Sequence, residues 1–407
     1  MANIVLTHQM VAREAAGMLE EQLPFLKGLN RSREKAIGRD VDGYSEGATV
    51  KIKIPPASAI YNGAIFAGGG SAPDQKETFA NLTVNTRKHV ALMFSAAERA
   101  LELTDFKERF LRPAISTLAS GVQADLLQQA LWWTPQVVGT AGAVPSSSFT
   151  YSQARVWLEK MLAPEEPRMA IWSSDAQSAL IDASKVLFNP SRLLAESYLK
   201  GSCGEFMGFE FFESQATPYL TNGTQTLTGL TVSTTAGQSG SVLNIAGATI
   251  GNTIAAGSIF TIANVYAVHP LLGFAYGTTL RQFVVTSPVT VTSTTQQPIP
   301  IYPPITTAAP DIPFCSALPA ASAALTFWGS ANTAYRQNLL FQRDAYAAAF
   351  VPLPVIAGCE GYTFDTDEMA VRVMTGGNVL NDTEVTRIDV LYGLVGVRGY
   401  HACRVSE

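Results

Sequence analysis

Residues 104–134 read TDFKERFLRPAISTLASGVQADLLQQALWWT, and the spacing of apolar side chains along them decides what kind of molecule this is. Thr104 and Asp105 are N-cap residue types, and Glu108 puts negative charge in the first turn, where the helix dipole favours it. Phe106, Phe110, Leu111, Ala114, Ile115, Leu118, Val122, Leu126, Leu127, Ala130 and Leu131 then recur at intervals of three and four. Lys107, Arg112, Ser116, Ser120, Gln123 and Gln128 fall on the other face. The pattern predicts an amphipathic helix stopped by Pro135 and bent at Pro113, whose ring displaces one backbone hydrogen bond. Unbroken, it would run on the order of 45 Å at ~1.5 Å per residue. That length suits a spine for an elongated molecule, not one layer of a compact enzyme.

The surroundings of this stretch fit a molecule covered by other copies of itself. In 407 residues, 47% hydrophobic composition is ample for real cores, while charged residues make up only 15%, well below the ~25% of ordinary soluble chains. A net charge of −5 argues against a dedicated nucleic-acid binder. The opening MANIVLTHQMVAREAAGML has no basic start followed by an apolar core, so no secretory leader is expected. No apolar run approaches the ~20 residues of a membrane span. Cys203, Cys315, Cys359 and Cys403 lack CxxC pairing and are expected as free thiols in a reducing cytosol, mostly as small buried hydrophobes.

Before the spine, residues 9–22 predict a short amphipathic helix marked by Met10, Ala15, Met18 and Leu19 and ended by Pro24. LKGLNRSREKAIGRDVDGYSEG then reads as loop or extended arm. GATVKIKIPP alternates Val50, Ile52 and Ile54 against Lys51 and Lys53, the period of a strand, and residues 78–95 predict a second strand. Between them a tip carries Gly68, Gly69, Gly70 and Pro73. A two-stranded projection has too little core to stand alone, and its edges can template another chain.

After the spine, residues 151–162 predict a helix, 168–173 a strand, 174–182 a helix and 206–212 a strand. Residues 217–325 turn rich in Thr, Ser, Gly, Ala and Val, with strand signals at 241–245, 259–268, 281–285 and 288–292. Pro298, Pro300, Pro303, Pro304, Pro310 and Pro313 then predict a connecting segment. The block reads as a small antiparallel barrel or sandwich inserted into the preceding domain. Residues 338–350 are helical by spacing, and 362–374 and 384–397 predict strands.

Chemistry finds little footing. His8, His89, His269 and His401 fall in different elements, with no HExxH or HxH spacing. The glycine triplet lacks the Lys-Ser/Thr of a phosphate cradle. Asp365, Asp367 and Glu368 in FDTDEM lack EF-hand spacing and read as a solvated turn. No GxSxG occurs. The sequons at Asn81, Asn222 and Asn381 mean nothing without a secretory route. Trp132, Trp133, Trp157, Trp172 and Trp328 are not interleaved with Lys or Arg, which favours core or interface anchors over base-stacking platforms. No catalytic, cofactor or metal residue is expected, and no enzyme.

The chain resembles the major capsid (coat) proteins of tailed bacteriophages, specifically the P-twenty-two-like coat proteins. NTRKHVALMFSAAERALELTDFKERFLRPAISTLASGVQADLL looks like that family's junction from projecting loop to spine helix. GSIFTIANVYAVHPLLG and LRQFVVTSPVT look like strands of its inserted β-domain, and NLLFQRDAYAAAFVPLP and RIDVLYGLVGVRGYHACRV like its C-terminal helix and closing strand. The matches run in order from about residue 45 onward.

The resemblance implies an α+β, HK-ninety-seven-like capsid fold with an inserted antiparallel β-domain. Its expected parts are an N-terminal arm (1–43), an extended loop and peripheral-domain strand (44–95), the spine helix (96–140), a first axial part (141–216), the inserted β-domain (217–326), and the remaining axial and closing peripheral strands (327–407). It implies hexamers and pentamers of a procapsid assembled in the bacterial cytoplasm, with scaffolding, portal and any decoration protein as partners. Packaged double-stranded DNA would make non-specific contact, and no membrane is involved. Some members of the wider fold weld subunits through a Lys–Asn bond. Lys76 with Asn378 or Asn381 are where one would be sought, but no motif supports it. Other readings are a tail-tube or decoration protein, or a hydrolase using the β-block as a binding module.

Overall fold

The computed structural model describes residues 8–30, 49–55, 77–95, 110–184, 205–308, 311–365, 369–378 and 383–407. The arm at 31–48, the loop tip at 56–76 with its glycine triplet and Lys76, and the start of the expected spine through residue 109 lie outside them, as do Cys203, Asp367, Glu368 and Asn381. Helices and strands are mixed throughout, and the chain divides into two compact units.

The first unit comprises 1–52, 81–127 and 346–395. Its N-terminal helix, His8–Gln22, buries Val11, Ala12, Ala15, Ala16, Met18 and Leu19, while Met10 is exposed. Pro24 ends that helix and opens a short second one, Pro24–Lys27, at whose first position its missing N–H is not needed. The sheet is built on Thr383–Gly396, a 14-residue strand. Thr86–Ser95 pairs antiparallel along it from Tyr392↔Thr86 to Thr383↔Ser95, and Ala370–Asn378 pairs antiparallel on its other side. Glu360–Asp365 continues the sheet antiparallel to Ala370–Asn378, so the single strand expected at 362–374 is a hairpin. Tyr346–Phe350 completes it.

The long helix is regular over Arg112–Trp132, about 31 Å at 1.5 Å per residue. Pro113 is its second residue, preceded by a wider turn of π type at Phe110 and Leu111. The proline sits at the junction between that wider turn and the regular ladder, the irregularity expected where a backbone N–H is missing. Every expected apolar position from Leu111 to Leu131 is buried, whereas Phe110 is 46% exposed. Gln123, placed on the polar face by spacing, is buried as well.

The strand expected over 78–95 is two. Thr78–Thr83 pairs with Thr49–Ile54 in a separate two-stranded sheet, and Thr86–Ser95 belongs to the sheet above. The change of partner falls at Val84 and Asn85; Asn is a poor strand residue, and the Asn85 side-chain oxygen accepts from the Thr86 hydroxyl at 3.3 Å. In the two-stranded sheet Ile52 and Leu82 are buried and Lys51 and Lys53 exposed, the alternation read from sequence.

The second unit comprises 53–80, 128–345 and 396–407. A mixed sheet runs in the order Gln136–Val138, Ala402–Ser406, Ala334–Gln342, Arg168–Trp172, Phe209–Glu213, Glu205–Phe206. Ala334–Gln342 lies in its middle, antiparallel to Ala402–Ser406 on one side and Arg168–Trp172 on the other. The helix expected at 338–350 is thus replaced by this strand, a 3-10 turn at Arg343–Ala345, and the strand Tyr346–Phe350. Residues 337–342 are all buried. A strand covered on both faces loses its period-two signature, so spacing alone cannot tell it from a buried helix. Ser148–Lys160, capped by the Ser147 hydroxyl accepting the Phe149 N–H at 3.2 Å, packs Tyr151, Ala154 and Leu158 into a core around Trp172.

The same unit carries an antiparallel six-stranded sheet in the order Leu325–Phe327, Ile259–Val268, Ala275–Val285, Gln297–Ile305, Gly240–Ala246, Thr231–Val232. Phe260, Phe283 and Phe327 stack at 5.7 and 5.1 Å in its core. The expected proline-rich connector is largely the strand Gln297–Ile305, with Ile299, Ile301 and Ile305 buried at alternate positions and Pro298 and Pro300 between them. Successive residues of a strand point their N–H groups to opposite edges, so prolines two apart strip donors from one edge only. The other edge keeps its pairing with Gly240–Ala246, through Leu243↔Ile299 and Ile245↔Gln297.

Candidate functional site

Alternation along the first unit's sheet sends Arg87, His89, Arg387 and Asp389 to one face, and the register sets Asp389 between His89 and Arg372. The Asp389 side chain is fully buried. Its Oδ2 accepts from Arg372 Nη2 at 2.7 Å and Nε at 3.3 Å. Its Oδ1 accepts from Arg387 Nε at 2.8 Å and from Arg87 Nη2 and Nε at 3.2 and 3.3 Å. Burial pushes this carboxyl up, but hydrogen bonds from Arg372 and Arg387 outweigh it and hold it below the usual carboxylate range. Arg372 is itself buried and also donates to the Pro354 carbonyl at 2.5 Å. On the opposite face the Tyr392 hydroxyl donates to Asp125 of the long helix at 2.6 Å, and Lys88 Nζ stands 3.9 Å from the same carboxylate. Burial and the Asp125 carboxylate both raise the Tyr392 pKa.

The second unit holds a buried charge that pairs with no carboxylate among the described residues. Arg281 is fully buried, donates from Nη1 to Met161 Sδ at 3.0 Å and lies 5.4 Å from the Phe314 ring centre. Burial pulls its pKa down to about 10, still far above neutrality. Its neighbour Cys315 is pushed up to about 11 by burial, against the pull of that guanidinium. A reactive thiol needs the reverse shift, so Cys315 is inert packing. Cys403, also buried, is raised too.

The four histidines stay apart. His8 Nε2 is 3.0 Å from the Thr375 hydroxyl. His89 is exposed on its strand, as the sequence placed it. His269 Nδ1 accepts the N–H groups of Leu271 and Leu272, each at 3.2 Å, and shapes a tight tip. His401 is buried, and burial followed by the nearby Arg398 charge pulls its pKa down to about 4. Ser173, between strand and helix, donates to the Glu407 carboxylate and accepts the Ala176 N–H at 3.1 Å, a helix cap with no histidine base bonded to it. Among the described residues no three His, Cys, Asp or Glu side chains could hold a metal ion. No helix among them is long and apolar enough to cross a membrane.

The tryptophans are packing anchors where they are most enclosed. Trp172 is fully buried between Tyr151 and Phe211, at 5.1 and 4.0 Å. Trp133 lies edge-on to Tyr302 at 5.6 Å and fills the space that glycine leaves at 396 and 399. Trp157 has Lys160 Nζ at 5.3 Å from its ring, a cation contact that sequence spacing did not bring out. Large apolar side chains are nonetheless left in the open: Leu271, Leu272 and Phe274 are each more than half exposed at the His269 tip, and Phe149, Tyr219, Ile250, Met93 and Phe79 are exposed elsewhere.

No family model matches the sequence, and no curated protein matches it. Solved structures do. The chain is similar to a chain of Mycobacterium phage Che8 at 12% identity, over 94% of this chain and 90% of that one, with a TM-score of 0.47. It is similar to a chain of the Cyanophage P-SCSP1u capsid at 10% identity, over 89% and 84%, with a TM-score of 0.45. A chain of the bacteriophage PhiM1 mature capsid follows at 9% identity, over 88% and 81%, with a TM-score of 0.42.

The arginine cluster on Asp389 escaped sequence reasoning, because its members come from three strands spread over residues 87–389. The available signal was the RID triplet at 387–389, a charged pair two apart on one strand face within an otherwise apolar run.

Proposed function

We propose that this chain is the major capsid protein of a tailed bacteriophage, a non-enzymatic tile of an icosahedral shell. The observation that carries the reading is the order of elements along the chain between residues 49 and 132. A two-stranded projection, Thr49–Ile54 with Thr78–Thr83, leads directly into the strand Thr86–Ser95, and the long helix Arg112–Trp132 is tied to that strand's sheet through Asp125. That order is the one the P-twenty-two-like motifs imply, with an HK-ninety-seven-like fold and the six-stranded block as the inserted β-domain. The domain limits at 43, 95, 140, 216 and 326 are proposed on the same basis.

In this reading hexamers and pentamers form around a scaffolding protein in the host cytoplasm, with portal and any decoration protein as further partners, and the shell encloses double-stranded DNA. Exposed apolar side chains, low charge density and a projection too thin to stand alone are what repeated contacts between copies require. Electron microscopy of the chain expressed with its scaffolding partner should show closed shells. Tubes would point instead to a tail-tube protein, and soluble monomers to a decoration protein. Deleting residues 61–75 should leave a folded monomer that builds no shells; normal particles from that variant would remove the loop's role.

A further inference from the structure

The three guanidiniums on Asp389 are answered by a single negative charge. Arg87, Arg372 and Arg387 form no other ion pair among the described residues, so the cluster keeps an excess of two positive charges. Arg372 is enclosed, but the side chains of Arg87 and Arg387 are 29% and 31% exposed. Each guanidinium has five N–H donors. Arg387 spends only Nε on Asp389, and Arg87 leaves Nη1 uncommitted. Both reach the same oxygen, Asp389 Oδ1, so one carboxylate anchors both forks, and both side chains remain partly open to solvent. A second anion with several oxygens would relieve the repulsion between them and take up those donors.

We propose that Arg87 and Arg387 form a binding point for a phosphate group, oriented from beneath by Asp389 and Arg372. The chemistry is shared by inorganic phosphate and the backbone of a nucleic acid, and a planar fork with bidentate reach suits either. The site needs only the folded chain, so its failure would leave the shell reading untouched.

Two titrations of the full-length protein test it. Calorimetry with inorganic phosphate, against chloride at equal ionic strength, should show saturable binding that weakens at least about tenfold in Arg387→Gln, the loss of charged hydrogen bonds. Arg87→Gln carries the same expectation and serves if Arg387→Gln does not fold. With a short DNA duplex, Arg387→Gln should lower affinity and make the slope of log K against log salt shallower by about one. Phosphate binding lost in the variant with an unchanged duplex slope would support the site and name free phosphate as its ligand. Phosphate binding no better than chloride, or equal in wild type and both variants, would overturn the proposal.

Discussion

Replacing Asp389 by asparagine keeps the shape of the side chain and removes the one anion that pairs with the three guanidiniums among the described residues. The carboxylate is fully buried and its nearest donor, Arg372, is 3% exposed, so water cannot take over the lost charge. Removing one partner of a buried pair costs about 3–5 kcal/mol, because the remaining charge is stranded. At about 1.4 kcal/mol per decade, the lower figure is roughly a hundredfold in the opening equilibrium of the sheet. All five tryptophans lie outside the unit that holds Asp389, so their fluorescence would miss the effect. Hydrogen exchange on peptides from Thr383–Gly396 and Ala370–Asn378 reads it directly. The exposed pair Lys53–Glu77, at 2.9 Å and with side chains 77% and 59% exposed, is the control. Glu77→Gln should cost no more than about 1 kcal/mol. The same carboxylate sets an acid limit. Its folded pKa is depressed, so the stability it contributes is present above the unfolded value of about 3.9 and is lost as pH falls through the folded one. Protection of this sheet should therefore collapse below about pH 4 in the wild type and stay flat there in Asp389→Asn. If the variant loses less than tenfold protection at neutral pH, the three arginines are balanced by something other than this carboxylate and the reasoning fails.

His401 sets a second, milder window. Its folded pKa is depressed to about 4, so its contribution is present above about 6.5 and fades between there and pH 4; His401→Gln should flatten stability across that interval in denaturant titrations followed by tryptophan fluorescence. Trp172→Ala should cost about 3–5 kcal/mol by the same titration, since the ring is fully enclosed by Tyr151 and Phe211. Gly396→Val should lower the melting temperature, because a side chain there collides with the Trp133 Cβ as well as its ring; Trp133→Ala keeps that Cβ and should leave the clash in place in the double variant.

Elements covered on one face were legible in the sequence. The helix His8–Gln22, the strand Thr49–Ile54 with its exposed lysines, and most of Arg112–Trp132 carry a polar side that marks the period. Legibility failed where solvent left no imprint. Residues 337–342 are buried on both faces and most of them read as part of a helix over 338–350, and Gln123 is polar yet enclosed. Gln297–Ile305 misled for another reason: its prolines break the rule for central strands, and only the alternation of Ile299 and Ile301 betrays the pairing. The Asp389 cluster depends on register across three strands, which no local window contains.

The middle strand Ala334–Gln342 borrows one neighbour from residues 168–172 and the other from residues 402–406. During synthesis the earlier neighbour waits through well over a hundred residues for its partner, and the middle strand stays open on one side until residues 402–406 have been made. Sheets closed by such distant segments fold late. A chain cut short before residue 402 keeps Leu340 and Phe341 on a bare edge. Fragments that stop short of residue 402 are thus marked by the stickiness of the strand they fail to cover.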